Sequence, residues 1–251
     1  VEFDGVDLAA LSPATLRALR REMGIVFQDP LSALDPRMTV GDIVAEPLRV
    51  HRLVSSRREG LQRARALLEQ VGLSADYAQR YPHAFSGGQR QRIGIARAIA
   101  TDPRLIILDE PISALDISVR GQILNLLKEV QQQRGLAYLL IAHDLSVVRH
   151  VCERVAVMYM GIIVEEATSD QLFREPKHPY TQALLACVPV PDPTHRITRP
   201  PLEGDVPTPV VIPSGCRFRT RCPLAQDICA REVPLLRTLD GGHRVACHFA
   251  Q

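Results

Sequence analysis

The sequence predicts an α/β protein with a largely parallel sheet at its core, a helical subdomain and a cysteine-rich C-terminal extension. Three observations carry this. From Arg104 onward the apolar runs RLIILDE, LAYLLIAHD and VAVMYMG alternate with the helical stretches SVRGQILNLLKEVQQQ and SVVRHVCER, and such alternation builds parallel sheets. Residues 31–84 read instead as two or three helices in succession. Eight of the 19 prolines fall between Pro189 and Pro213, a density that excludes helix and sets off the tail behind it.

Composition bounds the function from outside. The 251 residues, 46% of them hydrophobic, suffice for one large domain or a domain with an appendage. Thirty Lys plus Arg against 28 Asp plus Glu leave a formal charge of +2, so no surplus marks nucleic acid or an anionic membrane as a partner. No apolar run approaches the roughly 20 residues of a membrane-spanning helix. The opening VEFDGVDLAA lacks the basic end and apolar stretch of a signal peptide, so the chain is expected to be soluble and cytoplasmic. Thiols stay reduced in that compartment, and four of the six cysteines crowd into the last 36 residues, which points to metal binding rather than disulfides.

Each element has a local reason. Val1 opens in the end of a strand or hairpin. Ser12 is placed to cap a helix that has Pro13 at its first position and runs through ATLRALRREM. Gly24, Ile25, Val26 and Phe27 form a short apolar run, predicted as a buried strand ending at Gln28. In LQRARALLEQVGL the apolar Leu61, Ala64, Leu67, Leu68 and Val71 recur at helical spacing. Leu105, Ile106, Ile107 and Leu108 suit a strand buried on both faces.

Two of these elements carry chemistry. Asp109 and Glu110 stand at the carboxyl end of the Leu105–Leu108 strand, where parallel sheets bind ligands. An Asp there can hold magnesium through water, and the next Glu can polarise a water for attack on a terminal phosphate. In FSGGQRQRIGIARAIA, residues 85–100, Ser86, Gly87 and Gly88 precede a helix. Free N–H groups and the helix dipole at such an end attract anions, and glycines let a phosphate come close. Each motif alone also fits a plain reading, an acid-ended strand or a Ser-capped helix.

Together, in order, they resemble the ABC ATPase family. The signature reads FSGGQ from Phe85 to Gln89, the Walker B strand LIILDEP from Leu105 to Pro111, the D-loop SALD from Ser113 to Asp116, and the switch histidine is His143 in LLIAHD; Gln28 in VFQDP resembles the Q-loop. The resemblance implies a RecA-like parallel sheet binding ATP and Mg2+. Asp109 would bind the magnesium, Glu110 would be the general base, Gln28 would reach metal and water, and His143 would contact the γ-phosphate. Ser86, Gly87, Gly88 and Gln89 would touch the nucleotide of a partner subunit in a head-to-tail dimer, with Asp116 at that interface. The family's phosphate loop, G-x-x-x-x-G-K-[ST], occurs nowhere in these residues. The expectation is a chain that begins after it and is inactive alone.

QDPLSALDPRMTVGDIVAEPL, EPKHPYTQALLACVP and CRFRTRCPLAQDIC are similar to ATPase subunits of the dipeptide and oligopeptide importers. That resemblance implies a second ATPase subunit, two membrane permease subunits docking on residues after Gln28 and on the helical subdomain, an extracytoplasmic solute-binding protein, no nucleic acid, and a peripheral place on the cytoplasmic face of the inner membrane. Nickel or an oligosaccharide remains an alternative solute, and a degenerate non-hydrolysing subunit an alternative role. The expected division is 1–30 and 104–170 for the ATPase core, 31–103 for the helical subdomain with the signature, and 171–251 for the extension. Cys216, Cys222, Cys229 and Cys247 are spaced C-x5-C-x6-C-x17-C, enough thiolates for a [4Fe-4S] cluster or zinc, with four unligated thiols as the alternative and His243 or His248 as substitute ligands. Cys152 and Cys187 fall in helical patterns and are assigned to packing.

Overall fold

A computed structural model describes residues 1–187 and 212–251, and the proline-rich stretch thus lies almost wholly outside the described residues. The chain divides into two compact units, Val1–His143 and Asp144–Gln251.

The first unit opens with a hairpin of β1 (Glu2–Phe3) and β2 (Val6–Asp7). In α1 (Pro13–Leu19) the Ser12 hydroxyl accepts from the Thr15 N–H, as the capping pattern required. The helix stops earlier than expected, because Arg20–Glu22 tighten into a 3-10 turn and Met23 begins β3 (Met23–Val26). Then come α2 (Val40–Val50), α3 (Arg57–Gln70), α4 (Gly87–Ala98), β4 (Leu105–Asp109), α5 (Ile117–Arg134) and β5 (Ala137–Ile141).

The sheet is parallel in the order β3-β4-β5, with Ile25, Ile107 and Leu139 in one row. Ile106 and Leu108 are buried, but burial on both faces does not occur: Ile25 is 39% and Leu139 54% exposed. One row packs under helices, and its neighbour of opposite side-chain direction does not. Gly24 lets β3 touch α4, since a Cβ there would lie 2.5 Å from the Ala98 carbonyl oxygen. In the helical layer Asp42 of α2 accepts from Arg49 and from Arg57 of α3, and these contacts, that of Arg57 foremost, hold its carboxyl well below the usual range.

The second unit holds α6 (Leu145–Val151), β6 (Arg154–Tyr159), β7 (Ile162–Thr168), α7 (Ser169–Arg174), α8 (Pro179–Ala186), α9 (Asp227–Arg231), β8 (Arg237–Thr238) and β9 (Arg244–Val245). VAVMYMG does form a strand, but not in the parallel core. It pairs antiparallel with β7 in a sheet ordered β6-β7-β9-β8. The cause is local: Met160 (φ 47°) and Gly161 (φ 79°) make a two-residue turn with both residues left-handed, which returns the chain on the adjacent strand. Tyr159, Tyr180 and Phe218 pack as an aromatic cluster with centroids 4.7–5.5 Å apart.

Candidate active site

The carboxylate of Glu110 gathers two distant residues at the carboxyl end of β4. The Gln28 Nε2 donates to Glu110 Oε2 at 2.8 Å, and His143 Nδ1 lies 3.2 Å from Oε1. Gln28 arrives on the segment that leaves β3, His143 on the segment that leaves β5, and the parallel register brings both to the same edge as Asp109. The Glu110 side chain is 23% exposed and that of His143 70%, so solvent reaches the carboxylate from the histidine side.

Glu110 is held in a left-handed backbone conformation, φ 43°, which a residue with a Cβ adopts at a cost. Its N–H donates to the Ile141 carbonyl at 3.0 Å, and its own carbonyl accepts from the Ser113 N–H and hydroxyl. Arg120 braces the following turn by donating to the carbonyls of Leu115 and Ser113. Of these supporting groups only Ser113 was named from sequence, as the first residue of SALD, because a backbone kink leaves no local signature on a Glu.

Ser86–Gln89 form a second locus. Ser86 caps α4 by accepting from the Gln89 N–H, while Gln89 Oε1 accepts from the Ser86 N–H. Both side chains are thereby engaged in closing the helix end. A Cβ on Gly88 would meet Val119 at 2.6 Å and one on Gly87 would meet Leu115 at 3.6 Å, so the glycines let α4 sit directly on the turn that starts α5. Asp116, the N-cap of α5, makes no side-chain capping bond, which leaves its carboxylate for other contacts. Within this chain Ser86–Gln89 are not joined to the Glu110 cluster by any hydrogen bond or ion pair among the described residues.

Between α1 and the C-terminal end of α2 lies a groove of ≈ 490 Å³ lined by Ala14, Arg17, Ala18, Val50, His51 and Arg52. Burial, then the charges of Arg21 and Arg17, pull the His51 imidazole below its ordinary value. Arg17 and Arg52 bring two positive charges to its lining, and it includes none of the Glu110 cluster.

The tail cysteines come near one another without forming a ligand shell. Burial pushes the Cys216 and Cys222 thiols up, Cys222 to about 11; Cys229 and Cys247 add to the rise at Cys216, and Cys247, Cys216 and Cys229 to that at Cys222. Cys216 and Cys222 thus each lie within electrostatic range of Cys229 and Cys247. Yet no group of three or more His, Cys, Asp or Glu is assembled to hold a metal ion among the described residues, and all six cysteines are free. The histidines expected as substitute ligands are committed elsewhere: His243 Nε2 lies 2.7 Å from Glu165 Oε1, and His248 Nε2 3.2 Å from the Glu232 carbonyl. Cys152 caps the end of α6 half-buried, as packing predicts, whereas Cys187 is exposed.

A family model described as ABC transporter matches residues 1–113, and one described as Oligopeptide/dipeptide transporter, C-terminal region, matches residues 164–229. The oligopeptide transport ATP-binding protein OppF of Escherichia coli is 49% identical over 98% of this chain and 74% of its own length. BOV_A0347 of Brucella ovis, named for peptide import and ATP binding, is 52% identical over 98% of this chain and 78% of its own. Among solved structures, the dimeric ATP-binding cassette MJ0796, in a post-hydrolysis state bound to ADP and Pi, matches with a TM-score of 0.59 and 32% identity over 66% of this chain and 72% of that one. The cbiO1 protein of Clostridium perfringens, part of the ABC transporter complex cbiONQ, matches with a TM-score of 0.60 and 28% identity over 69% of this chain and 67% of that one.

Proposed function

Because this chain belongs to the ATP-binding subunits of the oligopeptide and dipeptide ABC importers, we propose that the Glu110 cluster is its ATP-hydrolysis site and that hydrolysis there energises peptide uptake. The observation that carries the reading is the convergence of Gln28 and His143, 82 residues and 33 residues away in sequence, on one carboxylate.

The chemistry follows from the donors. Glu110 is the general base: its Oε atoms accept a proton from a water placed between it and the terminal phosphate. Gln28 orients that water by its amide, and His143, open to solvent, hydrogen-bonds the γ-phosphate. Asp109, half-buried at the end of β4, offers hard oxygen donors at the same edge, a fit to magnesium, which takes one or two carboxylates and completes its shell with water and phosphate. Bound there with ATP, the ion would neutralise phosphate charge. Ser86, Gly87, Gly88 and Gln89 serve the nucleotide of a partner subunit, and Asp116 that interface. These 251 residues hold no G-x-x-x-x-G-K-[ST] run, so on their own they are not expected to hydrolyse ATP.

Partners follow from the family: a second ATPase subunit, membrane permease subunits and, in our reading, an extracytoplasmic solute-binding protein. No helix among the described residues is long and apolar enough to cross a membrane, which fits a peripheral subunit, placed by our reading on the cytoplasmic face. We keep 1–30 with 104–170, 31–103 and 171–251 as the functional division. The [4Fe-4S] or zinc reading of the tail has one support, the nearness of Cys216 and Cys222 to Cys229 and Cys247. No group of three or more His, Cys, Asp or Glu is assembled to hold a metal ion among the described residues, and no step is routed through a tail metal.

The test is Glu110→Gln in the assembled importer. Loss of the base should lower kcat by at least about 100-fold while ATP still binds. A variant hydrolysing at the parent rate ends the assignment.

A further inference from the structure

Arg97 lies in the last turn of α4, the helix that Ser86–Gln89 begin, and its guanidinium is largely buried. It has no carboxylate partner within ion-pair distance among the described residues. Instead Nη1 donates to the Ala33 carbonyl at 2.6 Å, and the guanidinium carbon stands 5.8 Å from the centroid of the Phe27 ring. Burial lowers the arginine's proton affinity, and the more distant Glu46 charge only partly offsets it. A buried cation without a paired carboxylate is costly, and a site needed only for packing would be better filled by an apolar side chain.

What Arg97 touches gives the reason. Phe27 immediately precedes Gln28, and Ala33 follows it in the same loop between β3 and α2. One guanidinium therefore grips the loop on both sides of the glutamine that donates to Glu110. The neighbouring Ala98 carbonyl lies so near Gly24 of β3 that a Cβ there would stand 2.5 Å from it, which puts the end of α4 against the strand that leads to Gln28. One planar group supplies both the N–H donated to Ala33 and the flat face turned to Phe27, which a lysine cannot reproduce.

We propose that Arg97 is a positioning residue: from the end of α4 it holds the Phe27–Ala33 loop so that Gln28 meets Glu110, tying the Ser86–Gln89 helix to the hydrolytic carboxylate of the same chain. This rests on the reading of Glu110 given above. A shift of α4, when its N-terminus engages the nucleotide of a partner subunit, would then reach Gln28 through one side chain.

The test is a set of variants in the assembled importer: Arg97→Met, Arg97→Lys, Gln28→Ala and the Arg97→Met/Gln28→Ala double. Arg97→Met should lower kcat roughly tenfold with KM for ATP within about twofold, and the double variant should be no slower than Gln28→Ala, since both remove one linkage. Arg97→Lys, which keeps charge and bulk and guards against a failure of the Met variant to assemble, should fall between. Losses that multiply in the double variant overturn the proposal. So does a Lys variant at full kcat, or a Met variant whose complex melts earlier while kcat per assembled complex is unchanged. Glu110→Gln in parallel separates the two readings: if it leaves hydrolysis intact, the site assignment falls and this inference with it, whereas a dead Glu110→Gln alongside multiplying losses removes only the role of Arg97.

Discussion

His243 and Glu165 meet 78 residues apart, Nε2 to Oε1 at 2.7 Å, with the Glu165 side chain fully buried and His243 5% exposed. Glu165 also accepts from the backbone N–H groups of Lys177 at 2.6 Å and His178 at 3.0 Å. One carboxylate in β7 thus binds the start of α8 and the strand-bearing tail to the same sheet. Its polar demands are met by three donors, the condition for burying such a group at all.

Removing one partner should therefore be expensive. His243→Ala is expected to destabilise the second unit by about 3 kcal/mol, because it strands a buried carboxylate. Urea denaturation followed by a probe in residues 144–251 checks this; a change below about 0.5 kcal/mol would show that the contact contributes nothing.

Acid should loosen the same region through His178. Burial drives its imidazole from 6.5 down to about 4, Glu165 opposing weakly. Since the folded pKa is the lower one, the unfolded chain takes up the proton first, and stability is lost as pH falls from about 6.5 toward 4. Between pH 7 and pH 5 the loss from this group is about 2 kcal/mol. His178→Gln should flatten the pH dependence of the denaturation midpoint over that interval, and an unchanged slope would assign it to other groups.

Gly24→Ala tests the contact of β3 with α4. The added methyl would stand 2.5 Å from a backbone oxygen, so the strand or the helix must move, at a cost of about 1–3 kcal/mol. Thermal melting of the assembled complex should fall accordingly, and hydrolysis should suffer because β3 leads to Gln28. A fully stable, fully active variant would mean that the helix end yields freely.

Thiol reactivity reads the tail. With its thiol raised to about 11 by burial, Cys222 should react with iodoacetamide at pH 8 much more slowly than the exposed Cys187. Peptide mapping after timed alkylation gives the order directly, and equal rates would contradict the burial of the tail.

Much of the site could be read without coordinates because its signals are local. A serine three residues before a glutamine closes a helix end whatever surrounds it, and Ser86 and Gln89 do so. An apolar run ending in two acids marks the ligand edge of a parallel sheet, which β4 supplies at Asp109 and Glu110. Arg97 and Glu165 escaped notice, since a polar residue in an apolar stretch looks the same whether it faces water or a partner, and His178 did so because a histidine among polar neighbours reads as solvent-exposed.

Sequence by itself determined the class of fold, the order of the nucleotide motifs and the caps of α1 and α4, all set by backbone chemistry within a few residues. Only the tertiary structure decided that β6 joins an antiparallel sheet rather than the parallel one, that the Gln28 amide and the His143 ring share the Glu110 carboxylate, and that His243 meets the carboxylate of Glu165. The physical reason is common to all three. Strand partners and buried polar pairs are selected by what lies opposite after folding, where every buried donor and acceptor must be matched at once, and a period of two along a strand carries no record of its neighbour.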